Sequence, residues 1–269
     1  MCYAKFFIAM ICSCLLLLGM IYCSKGDTTP TTPPPPNPFN ISWQIQFAGT
    51  LDESVNANRY HIDMFDNSAS VVASLHSKGR KVYCYINVGA WEDWRPDSAK
   101  FPDSVLGNDY EGWEGEKWLD IRQISQLAPI MRKRFDQCKS KGFDGIEPDN
   151  INGYTNNTGF PLTYQDQLNY NIWLAQEAHA RGLTIGLKND TEQLSALLPY
   201  YDWALTEDCF AQGWCNQLTP FINAGKPVFS IEYTDTGIPL NQFCPQANSM
   251  NFNAILKHRN LDAYREACR

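Results

Sequence analysis

The stretch Phe143-Asp144-Gly145-Ile146-Glu147-Pro148-Asp149-Asn150 decides the predicted fold, because a short apolar strand pattern runs directly into two carboxylates. Side chains alternate between the two faces of a strand, so Gly145, Glu147 and Asp149 share one face. If that face is the inside of a parallel β-barrel, Asp149 lies at the carboxyl-terminal mouth and Glu147 lies one layer deeper. Active sites of such barrels lie at this mouth.

The rest of the chain alternates short β-rich runs with longer helical segments, the pattern of a parallel sheet built from βα units. Strands are predicted at Trp43–Phe47, Tyr60–Phe65, Lys81–Asn87, Phe143–Asp149, Leu183–Lys188, Asp202–Glu207, Pro227–Glu232 and Ala254–Lys257. Helices are predicted at Ser68–Lys78, Ile121–Ser140, Tyr164–Arg181 and Glu192–Leu198, three of them followed by a glycine that stops the helix. Eight strands predict an α/β fold, a single-domain (β/α)8 TIM-type barrel, for which 269 residues are sufficient.

The N-terminal part predicts two segments outside the barrel. Lys5 and the apolar run Phe6–Tyr22 are typical of a secretory signal peptide over residues 1–25. No small-x-small cleavage pattern occurs there, so an uncleaved signal anchor is the alternative. Residues 26–41 predict an extended Thr/Pro-rich linker, and the barrel domain is assigned to residues 42–269. The chain is therefore predicted to be secreted or extracellular, with no stable membrane association if the signal is cleaved.

Six of the ten cysteines lie after the predicted signal. An even number in a secreted chain predicts three disulfide bonds, for which fifteen pairings are possible. The outer face of the third strand should bring Cys84 to the helix that carries Cys138, which favours this pair. The other bonds are predicted for Cys209–Cys215 and Cys244–Cys268.

The chain is acidic, with a formal net charge of −7, which disfavours nucleic acid as a partner. An acidic surface suits a cationic ligand, although many secreted proteins are acidic for solubility alone. The Cys and His spacing matches no zinc site, and no metal or cofactor is expected. Glycosylation sequons begin at Asn40 and Asn156, so a glycoprotein is predicted.

Three predicted strands end in an acid at the barrel mouth, namely Asp149, Glu207 and Glu232. Hydrolysis of a glycosidic bond needs such groups, because one carboxylic acid protonates the leaving oxygen while an ionised one attacks the anomeric carbon or activates water. The alternative is that the acids form buried ion pairs with Lys188 or Arg95. The same period of two predicts further inward-facing side chains at Gln44, Gln46, Tyr83, Tyr85, Asn87, Gly186, Lys188, Leu205 and Ser230.

The long connection Val88–Asp120 contains Trp91, Trp94, Trp113 and Trp118. Connections of this length are usually functional. The tryptophans predict either a surface on which sugars stack or a cap that packs over the barrel.

Several segments form an ordered run of motifs: Trp43-Gln44 with Gln46, Ile62–Asp66, Tyr83–Glu92, Trp118–Arg122, Gly145–Asn150, Gly186–Asp190 and Leu205–Phe210. Together they resemble glycoside hydrolase family 114, which includes spherulin-four-like proteins and endo-α-1,4-polygalactosaminidases. The resemblance extends from Trp43 to Asp235, nearly the whole predicted domain. It implies a (β/α)8 barrel that acts as a secreted endo-glycosidase on α-1,4-linked galactosamine polymers such as galactosaminogalactan.

By the family pattern, Asp149 and Glu207 correspond to the catalytic pair, with Asp149 expected as nucleophile or base and Glu207 as general acid. The resemblance implies a polysaccharide substrate, a cationic amino-sugar polymer whose free amines would make charge-assisted contacts with nearby acids. The residues expected to bind it are Asp63, Asp66, Asn87, Trp91, Glu92, Glu147, Lys188, Glu232 and Tyr233.

Two alternative functions stay open at this point. One is a non-catalytic glycan-binding or cell-coat protein on the same barrel, and the other is a hydrolase of a different α-linked amino-sugar polymer. Retaining and inverting stereochemistry are both open, because the choice depends on the separation of the two carboxyl groups. The oligomeric state is open as well.

Overall fold

A computed structural model gives the structure of residues 37–269. The predicted signal at residues 1–25 and residues 26–36 of the predicted linker lie outside the described residues. The end of the predicted linker contacts the barrel, since the backbone N–H of Ile41 donates to Asn253 Oδ1 at 2.9 Å. Within the described part of the chain, no helix is long and apolar enough to cross a membrane.

The elements of residues 37–269 follow one another in the order β1 (Trp43–Gln46), β2 (Arg59–Asp63), α1 (Ala69–Ser77), β3 (Lys81–Asn87), β4 (Ala90–Glu92), β5 (Leu106–Asp109), β6 (Glu116–Leu119), α2 (Ile124–Lys141), β7 (Gly145–Asp149), α3 (Tyr164–His179), β8 (Thr184–Lys188), α4 (Leu194–Leu197), β9 (Trp203–Glu207), α5 (Thr219–Asn223), β10 (Val228–Tyr233), α6 (Leu240–Ser249), β11 (Asn253–Lys257) and β12 (Glu266–Ala267). In this region β1, β2, β3, β7, β8, β9, β10 and β11 form one curled sheet of parallel neighbours. The predicted TIM-type barrel and its strands are confirmed.

The C-terminal segment lies at the seam between the first and last parallel strands. β12 pairs antiparallel with β11, while Arg265 Nε donates to the carbonyl oxygen of Trp43 on β1 at 2.6 Å. The carbonyl oxygen of Leu261 accepts hydrogen bonds from the backbone N–H groups of Phe47 and Ala48. The last residues of the chain therefore connect the two edges of the curled sheet.

The predicted helices are confirmed as α1 to α4, with ends that differ by a few residues. Gly142 ends α2 with a φ of 93°, a left-handed conformation that glycine adopts without steric cost. α5 and α6 are not predicted from the sequence. Pro220 lies in the first turn of the short helix α5 and Pro245 lies inside α6, so neither segment shows an uninterrupted helical pattern.

The lower interior of the barrel is aromatic and aliphatic. Trp43, Ile45, Trp203, Phe229 and Ile231 pack there in one buried cluster. On β3, β7, β8 and β9 the predicted inward orientation is confirmed by the cluster and by the cavity described below.

The orientation predicted for the polar residues of β1 and β10 is wrong, because apolar side chains of these strands fill the lower interior and exclude water from it. Gln46 instead binds the following turn through the carbonyl oxygens of Ala48 and Thr50. The residues concerned are Gln44, Gln46, Ser230 and Glu232.

The described residues form three disulfide bonds, Cys84–Cys138, Cys209–Cys215 and Cys244–Cys268, as predicted. The first joins the outer face of β3 to α2, the second closes a short loop after β9, and the third ties α6 to the C-terminal segment. Disulfide bonds form and persist in oxidising compartments.

Candidate active site

A cavity of about 650 Å³ opens at the carboxyl-terminal ends of the barrel strands. Most of the predicted site residues line it, namely Asp63, Asp66, Glu92, Asp149, Lys188, Glu207 and Tyr233. Four others do not: Asn87, Trp91, Glu147 and Glu232. The barrel thus gathers side chains from five strands and one long connection into the same space, at the end where barrel enzymes bind their substrates.

Lys188 is the charged centre of the cavity floor. Its Nζ atom lies 3.3 Å from Glu147 Oε1, 3.5 Å from Asp149 Oδ1 and 3.3 Å from Glu207 Oε2. Burial alone would lower the pKa of this lysine, but the three carboxylates outweigh it and raise the pKa above its usual value. The side chain therefore stays a cation at neutral pH and holds the carboxyl groups near one another.

Sharp turns follow three neighbouring strands at the mouth. Asn150, Asn189 and Asp208 stand directly after β7, β8 and β9, with φ values of 60°, 57° and 56°. Asn and Asp adopt this left-handed region more readily than other residues with a side chain. The turn after β8 positions Asn189 so that its amide donates to Glu207 Oε2 at 3.0 Å, while its Oδ1 accepts from the backbone N–H of Glu207 at 3.0 Å.

Glu207 is surrounded by groups that stabilise its ionised form. Burial raises its pKa, but the Lys188 ammonium, the Tyr233 hydroxyl and the Asn189 amide together lower the pKa below its usual value. The hydroxyl of Tyr233 donates to Glu207 Oε1. The Glu207 carboxylate is therefore ionised at neutral pH.

Asp149 has fewer stabilising partners than Glu207. Tyr85 donates its hydroxyl to Asp149 Oδ2 at 2.9 Å. Burial is the largest effect on Asp149 and raises its pKa. Lys188 lowers the pKa, the negative charges of Glu207 and Glu147 raise it further, and the net shift is upward. A proton shared by the pair therefore lies preferentially on Asp149.

Glu147 lies beneath the cavity floor, fully enclosed by the barrel. Its Oε2 atom is 2.5 Å from His61 Nδ1, and its Oε1 atom contacts Lys188. Burial raises its pKa, while Lys188 and His61 more than compensate and lower the pKa. Glu147 therefore forms the buried ion pair with Lys188 that was the alternative to a direct role in catalysis. His61 was not predicted from the sequence, although the period of two on β2 would place it on the same face as Asp63.

Arg95 pairs with two of the predicted site acids in the cavity wall. Its guanidinium lies 2.6 Å from Asp63 Oδ2 and 2.8 Å from Glu92 Oε1. Arg95 thus forms the buried ion pairs with site acids that the sequence offered as an alternative to a catalytic role. Both acids nevertheless line the cavity, so pairing and contact with a ligand do not exclude each other.

Glu232 lies behind the site. Its carboxylate oxygens accept hydrogen bonds from the backbone N–H groups of Phe210 and Ala211 at 2.9 and 3.0 Å. Burial raises the pKa of Glu232 to about 7. The inward placement predicted for this residue is wrong because Glu232 fixes the loop closed by the Cys209–Cys215 disulfide.

The four tryptophans of the long connection divide into two pairs. Trp94 and Trp113 line the cavity with about half of their surface exposed. Trp91 donates its indole N–H to the carbonyl oxygen of Ser98 at 3.1 Å and packs on the core, and Trp118 is buried against Tyr110. The packing interpretation therefore holds for Trp91 and Trp118, whereas Trp94 and Trp113 are exposed at the cavity and sugar stacking on them stays a prediction.

Several cavity residues were not predicted as site residues. Glu116 comes from β6 of the small antiparallel sheet β4-β6-β5, which was not predicted, and Tyr110 directly follows β5 of the same sheet. Asn87, expected to contact substrate, donates instead to Glu116 Oε2 at 3.2 Å. The other additions are Phe47, Tyr85, Trp94, Arg95, Trp113, Asn150, Asn152, Asn189, Asp208, Gln212, Trp214, Arg259, Asn260 and Leu261.

Comparisons with known proteins agree on the type of protein. Residues 24–269 match the family described as glycoside-hydrolase family GH114. The crystal structure of Aspergillus fumigatus Ega3 in complex with galactosamine is similar, with 38% identity, a TM-score of 0.81, and coverage of 86% of this chain and 96% of that chain.

Two further solved structures share the fold at low identity. The glycoside hydrolase domain of PelA from Pseudomonas aeruginosa has 14% identity and a TM-score of 0.66, covering 84% of this chain and 98% of that chain. The maltogenic α-amylase AmyB from Thermotoga neapolitana has 10% identity and a TM-score of 0.52, covering 82% and 67%. A comparison with curated protein sequences gives no match.

Proposed function

Because the chain belongs to glycoside hydrolase family 114, we propose that it is a secreted endo-glycosidase that hydrolyses α-1,4-linked galactosamine polymers with Asp149 and Glu207 as its catalytic pair. One observation carries this proposal: two carboxyl groups at the ends of different strands share the buried ammonium of Lys188 at the floor of an open cavity. The similarity to Ega3, whose structure contains galactosamine, supports the choice of sugar. The three disulfide bonds support secretion.

The opposite pKa shifts of the pair suit the first step of hydrolysis. One carboxylic acid must give its proton to the glycosidic oxygen while the other, ionised, acts at the anomeric carbon. The contacts favour Asp149 as the proton donor and Glu207 as the ionised group, which reverses the order expected from the sequence.

The shared lysine also bears on stereochemistry. Oxygens that lie within 3.5 Å of one nitrogen belong to carboxyl groups closer together than most inverting pairs, which are about 6.5–9.5 Å apart. This favours a retaining reaction, in which Glu207 forms a bond to the anomeric carbon as the leaving oxygen takes the proton of Asp149. Water then breaks that bond and returns a proton to Asp149.

A substrate panel tests the proposed function. We expect the purified protein to release reducing ends from deacetylated α-1,4-galactosamine polymer, with early products of mixed length by mass spectrometry, as endo-cleavage requires. β-1,4-Glucosamine polymer, an equally cationic amino-sugar polymer that differs in linkage and in the configuration at C4, serves as the control. Binding without any product would indicate the glycan-binding alternative, and product only from another polymer would indicate a different hydrolase.

We also expect the exposed tryptophans to bind sugar rings. Trp94→Ala and Trp113→Ala should each lower kcat/KM on the polymer about 3- to 10-fold, because stacking on an aromatic ring contributes roughly 0.5–1.5 kcal/mol. Tyr200→Ala is the control, an exposed aromatic residue outside the cavity. If the tryptophan variants match this control in steady-state assays, neither ring binds substrate.

A further inference from the structure

Two carboxylates of the small sheet face each other across neighbouring strands. Glu92 on β4 and Glu116 on β6 are direct cross-strand partners, and both line the cavity. Like charges directly opposite each other destabilise a sheet. The repulsion between the two carboxylates is removed if one of them binds a proton or if a cation binds between them.

The groups around Glu116 carry too little positive charge to neutralise both glutamates. Its neighbours are the acids Glu92 and Asp149, the cation Arg95 and the hydroxyls of Tyr85 and Tyr110. The charge of Arg95 is already divided between Glu92 and Asp63. Glu116 itself is bound by a neutral donor, the side-chain amide of Asn87. Negative charge therefore exceeds positive charge at this wall.

A second observation points to a ligand at the same place. The side chain of Glu92 is only 2% exposed, and its Oε2 atom has no hydrogen-bond partner among residues 37–269. A buried carboxylate oxygen without a donor is costly, so such oxygens are normally paired. Because Glu92 lines the cavity, a ligand in the cavity can supply the donor.

We propose that Glu92 and Glu116 form an ammonium subsite that selects sugar units carrying a free amino group. An ammonium carries three N–H donors, enough to reach both carboxylates with charge-assisted bonds. An N-acetylated unit has no positive charge, so it gains no charge-assisted bond from the two acids. This inference rests on the proposed function for the identity of the ligand as an amino sugar, and it assigns the selection to named residues.

The subsite predicts that binding releases a proton. Burial and the charges of Glu92 and Asp149 raise the pKa of Glu116 to about 8, so Glu116 is protonated in the free protein at pH 6.5. A bound ammonium stabilises the carboxylate and lowers that pKa. Glu116 therefore loses its proton when the amine binds, whereas a neutral sugar leaves it protonated.

Calorimetry with a galactosamine oligosaccharide tests the subsite. All proteins carry Glu207→Gln to prevent cleavage, and titrations are made at pH 6.5 in two buffers of different ionisation enthalpy. We expect release of close to one proton, and a loss of affinity of about 10- to 100-fold in Glu116→Gln and Glu92→Gln. In Glu116→Gln the proton release should disappear. Glu114→Gln, an exposed residue of the same hairpin outside the cavity, is the matched control and should bind as the parent does.

The N-acetylated oligosaccharide completes the test. It should bind more weakly than the amine, and Glu116→Gln should not weaken it further. Equal affinity for both sugars, no proton release, or a Glu116→Gln variant that behaves as Glu114→Gln would each overturn the subsite. Thermal melting identifies a misfolded Glu92→Gln variant, in which case Glu116→Gln alone decides. Hydrolysis by the parent protein is measured separately. Proton release on amine binding without hydrolysis would support the subsite and refute the proposed enzyme activity. Hydrolysis without a preference for the amine would support the enzyme activity and refute the subsite.

Discussion

Asp149→Asn and Glu207→Gln are each expected to lower kcat on galactosamine polymer by about 10³-fold or more while the barrel stays folded. Asp149→Asn removes the carboxyl group that carries the proton, and Glu207→Gln removes the ionised group that Lys188, Tyr233 and Asn189 stabilise. Loss of proton transfer alone typically lowers the rate 10²–10⁴-fold. When two residues act together, removing either one abolishes most of their joint contribution to the rate. The measurement is reducing-end release under saturating substrate, with circular dichroism to verify folding.

Asp109→Asn is the matched control for this experiment, because Asp109 is an exposed carboxylate on β5 outside the cavity. It should retain the rate of the parent. If either Asp149→Asn or Glu207→Gln keeps a rate within tenfold of the parent, the assignment of the pair is wrong. Azide added to Asp149→Ala and Glu207→Ala separates the roles. Loss of the nucleophile gives a glycosyl azide of inverted configuration, and loss of the proton donor gives one of retained configuration.

Lys188→Met is expected to destabilise the protein by about 3–5 kcal/mol at pH 7 and to abolish hydrolysis. The substitution leaves Glu147, Asp149 and Glu207 without their common cation, and breaking a buried ion pair by removing one partner has a cost of this size. The activity is lost because the pKa values of the catalytic pair rise together. Urea unfolding followed by intrinsic fluorescence measures the stability.

The destabilisation caused by Lys188→Met should depend on pH. In the parent protein the pKa values of Glu147 and Glu207 are lowered, so their stabilising contribution exists above the ordinary carboxyl range and is lost as the pH falls through the folded-state values. In Lys188→Met the carboxyl groups bind protons more readily. The difference between parent and variant should therefore shrink from pH 7 towards pH 4.5.

Lys81→Met is the control, because Lys81 is a largely exposed cation paired with Asp144. Exposed ion pairs contribute little, about 0–1 kcal/mol. A Lys188→Met variant as stable as Lys81→Met at pH 7, or a difference that grows on acidification, would refute the role of Lys188 as the shared cation.

The pattern of the sequence predicted the barrel because eight strands and their helices carry strong local signals. It placed Glu147 and Asp149 correctly on one face of β7, with Asp149 at the cavity and Glu147 below it. It failed on β10, where polar residues were expected inside. There Phe229 and Ile231 fill the apolar lower barrel, and Glu232 finds its donors in a loop that is close only in the folded protein.

The site beyond the strands was less predictable for a similar reason. Glu116 has no strand pattern around it, and its position opposite Glu92 depends on the pairing of β4 with β6 across more than twenty residues. The protonation of Asp149 and Glu207 likewise depends on Tyr85, Tyr233 and Asn189, which the fold brings together. The period of two placed Tyr85 on the inner face of β3, and the family resemblance pointed to Tyr233. The partner of each side chain, however, is set by tertiary structure, for which periodicity along the chain carries no signal.

A crystal structure of the Glu207→Gln variant with a bound galactosamine oligosaccharide tests the central claim most directly. We predict a glycosidic oxygen within hydrogen-bond distance of Asp149 and the anomeric carbon of the same bond facing position 207, above the Lys188 ammonium. An oligosaccharide whose glycosidic bonds all lie away from Asp149 and position 207 would contradict the assignment of this pair.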